Sequence, residues 1–285
     1  MSNIPKTEKI IVLGAGCVGL YTAIVLYKNG YSNVEIVAEK TEDLASHNCG
    51  AIYSAASMLA KLDDDMRKYA EEIFVGSYVV CKDILLGKHF IDKNGITEID
   101  GYFGDEPEVG AVYTNSGMDI IVEKGLIPPP ETVNLKLGNQ MNRMRKYRCI
   151  YFHPFLLMNN FNEILKKSNI SIRKAKITNF NEMNSNYIFN CSGLGSRNLK
   201  SDNDVLHVLG HVIHLRNQNL IKLNYYIYTH YITQNDIGKY NHDKSPLLYF
   251  MPKTDNKSIT GIIGGSYITN SEGKDNELNK KEYYI

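Results

Sequence analysis

Residues Ile10 to Lys40 read IIVLGAGCVGLYTAIVLYKNGYSNVEIVAEK, and this stretch decides the fold. Ile10 to Leu13 is a short apolar, β-branched run of the kind a buried parallel strand uses. Gly14, Gly16 and Gly19 follow in G-x-G-x-x-G spacing. The pattern predicts a helix from about Val18 to Asn29, stopped by Gly30. Val34 to Ala38 reads as a second buried strand, with Glu39 and Lys40 at its end. The whole is a βαβ unit of about 30 residues.

Each glycine has a separate task. Gly14 permits the tight turn off the strand, Gly16 lets an anion approach the backbone, and Gly19 lets the helix pack close to the strand. Free N–H groups at the helix N-terminus then face a pyrophosphate at the positive end of the helix dipole. Glu39 stands twenty residues beyond Gly19, placed to accept hydrogen bonds from ribose hydroxyls. The unit therefore predicts dinucleotide binding, and the competing reading is a Gly-rich turn in an ordinary α/β domain. It does not separate FAD from NAD, because both carry ADP.

The chain has 285 residues, 43% of them hydrophobic, enough for two cores. With 32 basic and 31 acidic residues the formal charge is +1, which gives no electrostatic case for nucleic acid. No apolar run approaches the ~18 residues of a membrane span. The few residues before Ile10 are polar and do not read as a signal peptide. Five scattered cysteines, Cys17, Cys49, Cys81, Cys149 and Cys191, suggest free thiols and a cytoplasmic location.

Ser46, His47, Asn48, Cys49, Gly50 and Ala51 form a small, polar segment suited to a loop around a phosphate or ribityl chain. The Ala-rich stretch after it is expected to begin a helix. Lys61 to Leu86 reads as a long amphipathic helix, broken near Gly76. Asp63, Asp64 and Asp65 fall in its solvated start, and consecutive carboxylates point different ways, so no metal site is expected. Arg143, Arg145, Lys146 and Arg148 read as a solvated basic face. Cys149 to Phe152, Ser171 to Phe180 and Tyr187 to Asn190 read as strands. The last runs into a small-residue turn, Cys191-Ser192-Gly193. His207, His211 and His214 read as ordinary strand residues.

Taken in order, VLGAGCVGL, IVAEK, SHNCGAI, KAKITNF, YIFNCSGLGSRNL, GHVIHL, LLYFMP and ITGIIGGSY resemble the D-amino-acid oxidase and glycine oxidase family of FAD-dependent oxidoreductases. The resemblance is specific in the nucleotide half. It implies an α/β fold, with a Rossmann-like FAD-binding domain (1–80 and 148–203) interleaved with a β-rich, α+β substrate domain (81–147 and 204–285). It implies FAD on Gly14 to Gly19 and on Glu39 and Lys40. Ser46 to Ala51 correspond to the loop near the flavin, Ile177 to a strand position beside adenine, and Cys191, Ser192 and Gly193 to a cofactor turn. Tyr249 matches a tyrosine that contacts the substrate carboxylate, and Tyr240 is a looser candidate for the active-site lid.

The implied reaction oxidises a small amine or amino acid to an imine, with oxygen as acceptor. The family pattern continues with an arginine-bearing strand and a Gly-rich helix start, whereas this sequence ends at Ile285 with no arginine after Arg216. The resemblance therefore also leads us to expect a shortened chain with loosely held FAD. That chain would self-associate or be completed by a second chain. The alternative is a non-catalytic flavin-binding or partner-binding subunit.

Overall fold

The computed structural model describes residues 4–54, 63–104, 117–200, 205, 208–210, 212–216, 223–230, 247–253, 259–265 and 268–269. The elements begin with β1 (Ile10–Leu13), α1 (Cys17–Lys28), β2 (Val34–Ala38), α2 (Ala45–Asn48) and β3 (Ala51–Ile52). Next come α3 (Asp64–Leu85), β4 (Ile96–Gly104), α4 (Met118–Glu123), β5 (Glu131–Leu137) and β6 (Gln140–Phe152). They are followed by α5 (Pro154–Ser168), β7 (Ser171–Lys174), β8 (Tyr187–Asn190) and α6 (Ser196–Lys200). The remaining strands are β9 (Val208–Leu209), β10 (Val212–Arg216), β11 (Tyr225–His230), β12 (Leu247–Pro252), β13 (Ile259–Gly264) and β14 (Ile268–Thr269). Two compact units result, one built on Met1–Cys49 and Pro154–Val208, the other on Gly50–His153 and Leu209–Ile268.

The first unit is a parallel sheet in the order β7-β2-β1-β8. Ile10 pairs with Val34 on one side and Tyr187 on the other, and Ile36 pairs with Ile172. All four residues of β1 are buried, as a central parallel strand requires. Ile11 and Leu13 join Val37 and Met183 in one core, with Ile177, Phe180 and Leu199 packed against it. α1 packs on β1, β2 and α5, burying Leu20, Ala23 and Ile24. Full burial of Leu20 or Ile24 stabilises by roughly 1.5–3 kcal/mol each. Glu35 ties β2 to its neighbours through Lys9 at 3.1 Å and Arg173 at 3.0 Å.

The second unit is an eight-stranded sheet in the order β10-β13-β12-β11-β4-β6-β3, with β5 paired to β6. Its pairings are antiparallel except β11 with β4, which run parallel. The expected α/β class and strand-rich partner unit are both present. α3 begins where Asp63 accepts the Met66 N–H at 2.8 Å, and it buries Ala70, Phe74, Tyr78, Cys81 and Ile84 along one face.

Three expectations are corrected. α3 runs unbroken through Gly76, which lies on the exposed side with nothing near an added Cβ. The strand at Ser171 stops at Lys174, not Phe180. There Glu182 accepts from the Thr178 and Asn179 N–H groups, and this cap turns the chain out of the ladder. Finally, the basic cluster is not simply solvated. Arg145 pairs with Asp119 at 3.1 Å, and Lys146 and Arg148 each reach Asp100 at 3.2 Å. The strand bearing them begins at Gln140 and continues through the expected one at Cys149. Among the described residues no helix is long and apolar enough to cross a membrane.

Candidate functional site

In the sheet order β7-β2-β1-β8 the chain steps outward from β1 in one direction and then returns to its other side. The C-terminal ends of β1 and β8 therefore form a topological switch point, where open α/β sheets bind ligands. A cleft of about 720 Å³ lies there, wholly within the first unit. Its walls come from the segments after β1 (Gly14 to Val18), after β2 (Glu39, Lys40 and Asp43 to Ser46), after β7 (Ala175, Ile177) and after β8 (Cys191 to Gly195).

The glycines differ in what forbids a side chain. Gly14 has φ +112° and faces the Cys191 backbone so closely that a Cβ cannot fit. Gly19 backs onto the Gly14 carbonyl in the same way, so strand, turn and helix are locked together. Gly16 is different: an added Cβ meets only the Ser46 hydroxyl, at 3.2 Å. Its bare Cα is thus an open floor, and the residues present fit a phosphate-bearing group at this point. Ala15 is buried and Val18 exposed, and α1 carries no acidic side chain in its first turn.

Ser46 sits against this floor. Its Oγ accepts the Cys17 N–H at 3.0 Å, although the two residues are 29 apart in sequence. α2 holds it there as a short helical turn. The Leu44 N–H donates to His47 Nδ1 at 3.1 Å, and the Asn48 amide donates to Asp43 Oδ1 at 2.8 Å. That bond assigns His47 its proton on Nε2. Asp43 adopts a left-handed φ of +51°, which the short polar side chain tolerates. Cys49 is exposed, and Gly50 and Ala51 belong to the strand-rich unit, where Gly50 lies against Met251 and Ile262.

Glu39 lies at the end of β2 with Lys40 beside it, and its Oε1 is 3.6 Å from Lys176 Nζ. Both side chains of that pair are largely exposed, so it contributes little to stability. Ile177 lines the cleft from the loop beyond β7, not from a strand. Cys191 is anchored by its N–H to the Leu13 carbonyl at 2.8 Å and by its thiol to Thr22 Oγ1 at 3.8 Å. Burial pushes that thiol's pKa up, with the Thr22 contact opposing. Ser192 donates to Asn190 Oδ1 at 2.6 Å, and Gly193 takes φ +56°, so the turn presents backbone to the cleft.

Tyr249 lies in the second unit, half-buried on β12 between Tyr228 of β11 and Gly264 of β13. Tyr240, His207 and His211 lie outside the described residues. Among those described, no cluster of His, Cys, Asp and Glu could hold a metal. Sequence reasoning missed Lys176, Thr22 and the seat of Ser46 on the glycine loop. Thr22 lies one helical turn beyond Val18, but no local signal marks the other two.

The fold is a two-unit α/β architecture with a switch-point cleft in its first unit, similar to that of several solved oxidases. No known family profile matches the sequence. Amadoriase II, the deglycating fructosamine oxidase of Aspergillus fumigatus, matches with a TM-score of 0.65 at 12% identity, over 92% of this chain and 64% of its own. NikD, an amino acid oxidase essential for nikkomycin biosynthesis, matches at 0.59 and 11%, over 95% and 73%. The L-amino acid deaminase of Proteus vulgaris matches at 0.53 and 13%, over 94% and 63%. The chain thus spans less than two thirds of the amadoriase and of the deaminase. At these identities the likeness is one of fold.

Proposed function

We propose that the chain is an oxidoreductase that binds FAD in the first unit and oxidises a small amine or amino acid to the imine, dioxygen taking the electrons. The observation that carries the reading is the floor at Gly16, open beneath a switch-point cleft with Glu39 at its far wall. The fold likeness to a fructosamine oxidase, an amino acid oxidase and an amino acid deaminase supports the choice of a C–N oxidation. FAD held in that cleft would supply a hydride acceptor for the amine's C–H bond as the nitrogen lone pair forms the C=N bond, and would return the two electrons to dioxygen.

The chain's own residues then have distinct tasks. The N–H groups of the glycine loop hold the pyrophosphate at the positive end of α1, except that of Cys17, which is given to Ser46. Ser46 already accepts from Cys17, which leaves its O–H for a phosphate oxygen. Glu39 accepts from the ribose and Lys40 flanks it, while Ile177 presents backbone to the adenine. Cys191, Ser192 and Gly193 bring backbone close to the cofactor. His47 and Asn48 shape the loop between, followed by Cys49, Gly50 and Ala51. Tyr249 orients the substrate. Orientation of a neutral amine needs no further acid or base.

The test is the colour and chemistry of the purified protein. It should be yellow, and mixing it anaerobically with D-amino acids, glycine derivatives, fructosyl amines and simple amines should bleach the flavin with at least one. A colourless protein that binds NAD in calorimetry sinks the reading.

A further inference from the structure

Gly264 ends β13 opposite Tyr249 on one side and Val212 on the other. Its φ is not among the positive ones, so alanine could adopt its backbone. Glycine in a strand interior costs stability relative to alanine, so this position needs a reason. The reason is Tyr249. A Cβ at Gly264 falls 2.8 Å from Tyr249 Cε2 and closer still to Cζ and the hydroxyl oxygen, nearer than real Cβ atoms come. The phenol ring therefore lies across the bare Cα of the neighbouring strand, with its oxygen over Gly264. Gly261, further up the same strand, is obstructed by other atoms: Phe250 Cε2 at 2.8 Å and the Met251 carbonyl at 3.2 Å.

We propose that Gly264 is a positioning residue for Tyr249. Its missing side chain lets the ring lie down across β13 and fixes the hydroxyl at one place before any ligand arrives. A pre-fixed hydroxyl loses less freedom when it meets the polar group of a substrate, which is where binding free energy is gained. The inference rests on the reading of Tyr249 as a substrate-contacting residue.

Two measurements on the full chain decide it. In a thermal-unfolding cycle, Gly264→Ala should lower Tm in the parent and fail to lower it in Tyr249→Ala, where the obstacle is gone. Equal losses in both backgrounds overturn the proposal. In the FAD-loaded protein, with whichever amine bleaches the flavin, Gly264→Ala and Tyr249→Phe should each raise KM about tenfold, the worth of one hydrogen bond. The double variant Gly264→Ala/Tyr249→Phe should raise it no further. Gly261→Ala should lose stability and keep the parent KM. An unchanged KM in Gly264→Ala, or the same rise in Gly261→Ala, also overturns the proposal. If no amine bleaches the parent, the reading of the reaction has failed, and the unfolding cycle alone still decides whether Gly264 seats Tyr249.

Discussion

The Ser46 hydroxyl accepts the Cys17 amide N–H at 3.0 Å and stands 3.2 Å from where a Gly16 side chain would begin. One atom thus ties α2 to the glycine loop and forms the far edge of its floor. Replacing Ser46 by Ala should destabilise the first unit by about 1 kcal/mol. It should also weaken ADP binding, because the phosphate loses the Ser46 hydroxyl as a donor. Urea unfolding and ADP calorimetry measure the two effects, and unchanged ADP affinity would remove Ser46 from the site.

The glycines should separate by substitution. Gly16→Val should fold and lose ADP binding, because its side chain enters the open floor. Gly19→Ala should lose the fold itself, because its Cβ would run into the Gly14 backbone carbonyl. Circular dichroism beside calorimetry distinguishes them. A Gly16→Val protein that still binds ADP would place the pyrophosphate elsewhere.

Glu39→Ala should weaken ADP binding by about two orders of magnitude, if two ribose hydroxyls each lose a charged acceptor worth about 1.5 kcal/mol. Lys176→Ala should leave stability unchanged, since that ion pair is exposed. Its effect on ADP affinity should fade as salt rises.

Acid sensitivity should trace partly to Glu35. Burial pushes its carboxyl upward, but hydrogen bonds and charge from Lys9 and Arg173 outweigh that and hold it below the ordinary value. A folded-state pKa below the unfolded one means the stabilisation is fully present above the unfolded value. It is lost as pH falls through the folded one. Glu35→Gln should therefore be less stable than the parent near neutral pH and show a flatter loss of stability below about pH 4. Parallel curves for the two proteins would contradict this.

The thiols should react in order of burial. Cys49 is exposed and should alkylate first, whereas Cys81 and Cys149 are buried, with burial pushing each thiol up to about 12. Those two should react only on unfolding. Cys17, half-buried in the cleft, should react at an intermediate rate that ADP slows. Peptide mapping after iodoacetamide treatment checks the order, and a Cys17 rate indifferent to ADP would count against the cleft as the nucleotide site.

The first βαβ unit was legible because its signals are local. An apolar strand, three spaced glycines and an acid at a fixed distance need no distant partner to be read. α1 spans Cys17–Lys28, one residue from the expected bounds at either end. The rest was legible in proportion to how local it was. Arg143 to Arg148 hid the first half of β6, because the carboxylates that pair with those charges lie on α4, β4 and β5. Ile177 looked like strand because an alternation of apolar and polar residues, Ala175-Lys176-Ile177-Thr178, continues past Lys174. What ends the ladder is a hydrogen-bonded cap at Glu182, a stop signal usually sought at helices. The seat of Ser46 depends on two segments meeting in space, and nothing near either announces it.

The position of β1 at the centre of its sheet has a consequence for how the protein is made. One edge of β1 is covered by β2 within a few dozen residues, but the other waits for β8, more than 170 residues later. At roughly 5–20 residues per second, a ribosome takes on the order of ten seconds or more to deliver that strand. Throughout that interval the nascent chain displays an open edge of Ile10, Ile11, Val12 and Leu13. The glycine turn after Leu13 is incomplete for as long, because Cys191 closes it from the far side. If the cleft takes a nucleotide as proposed, its capture would be a late event in synthesis.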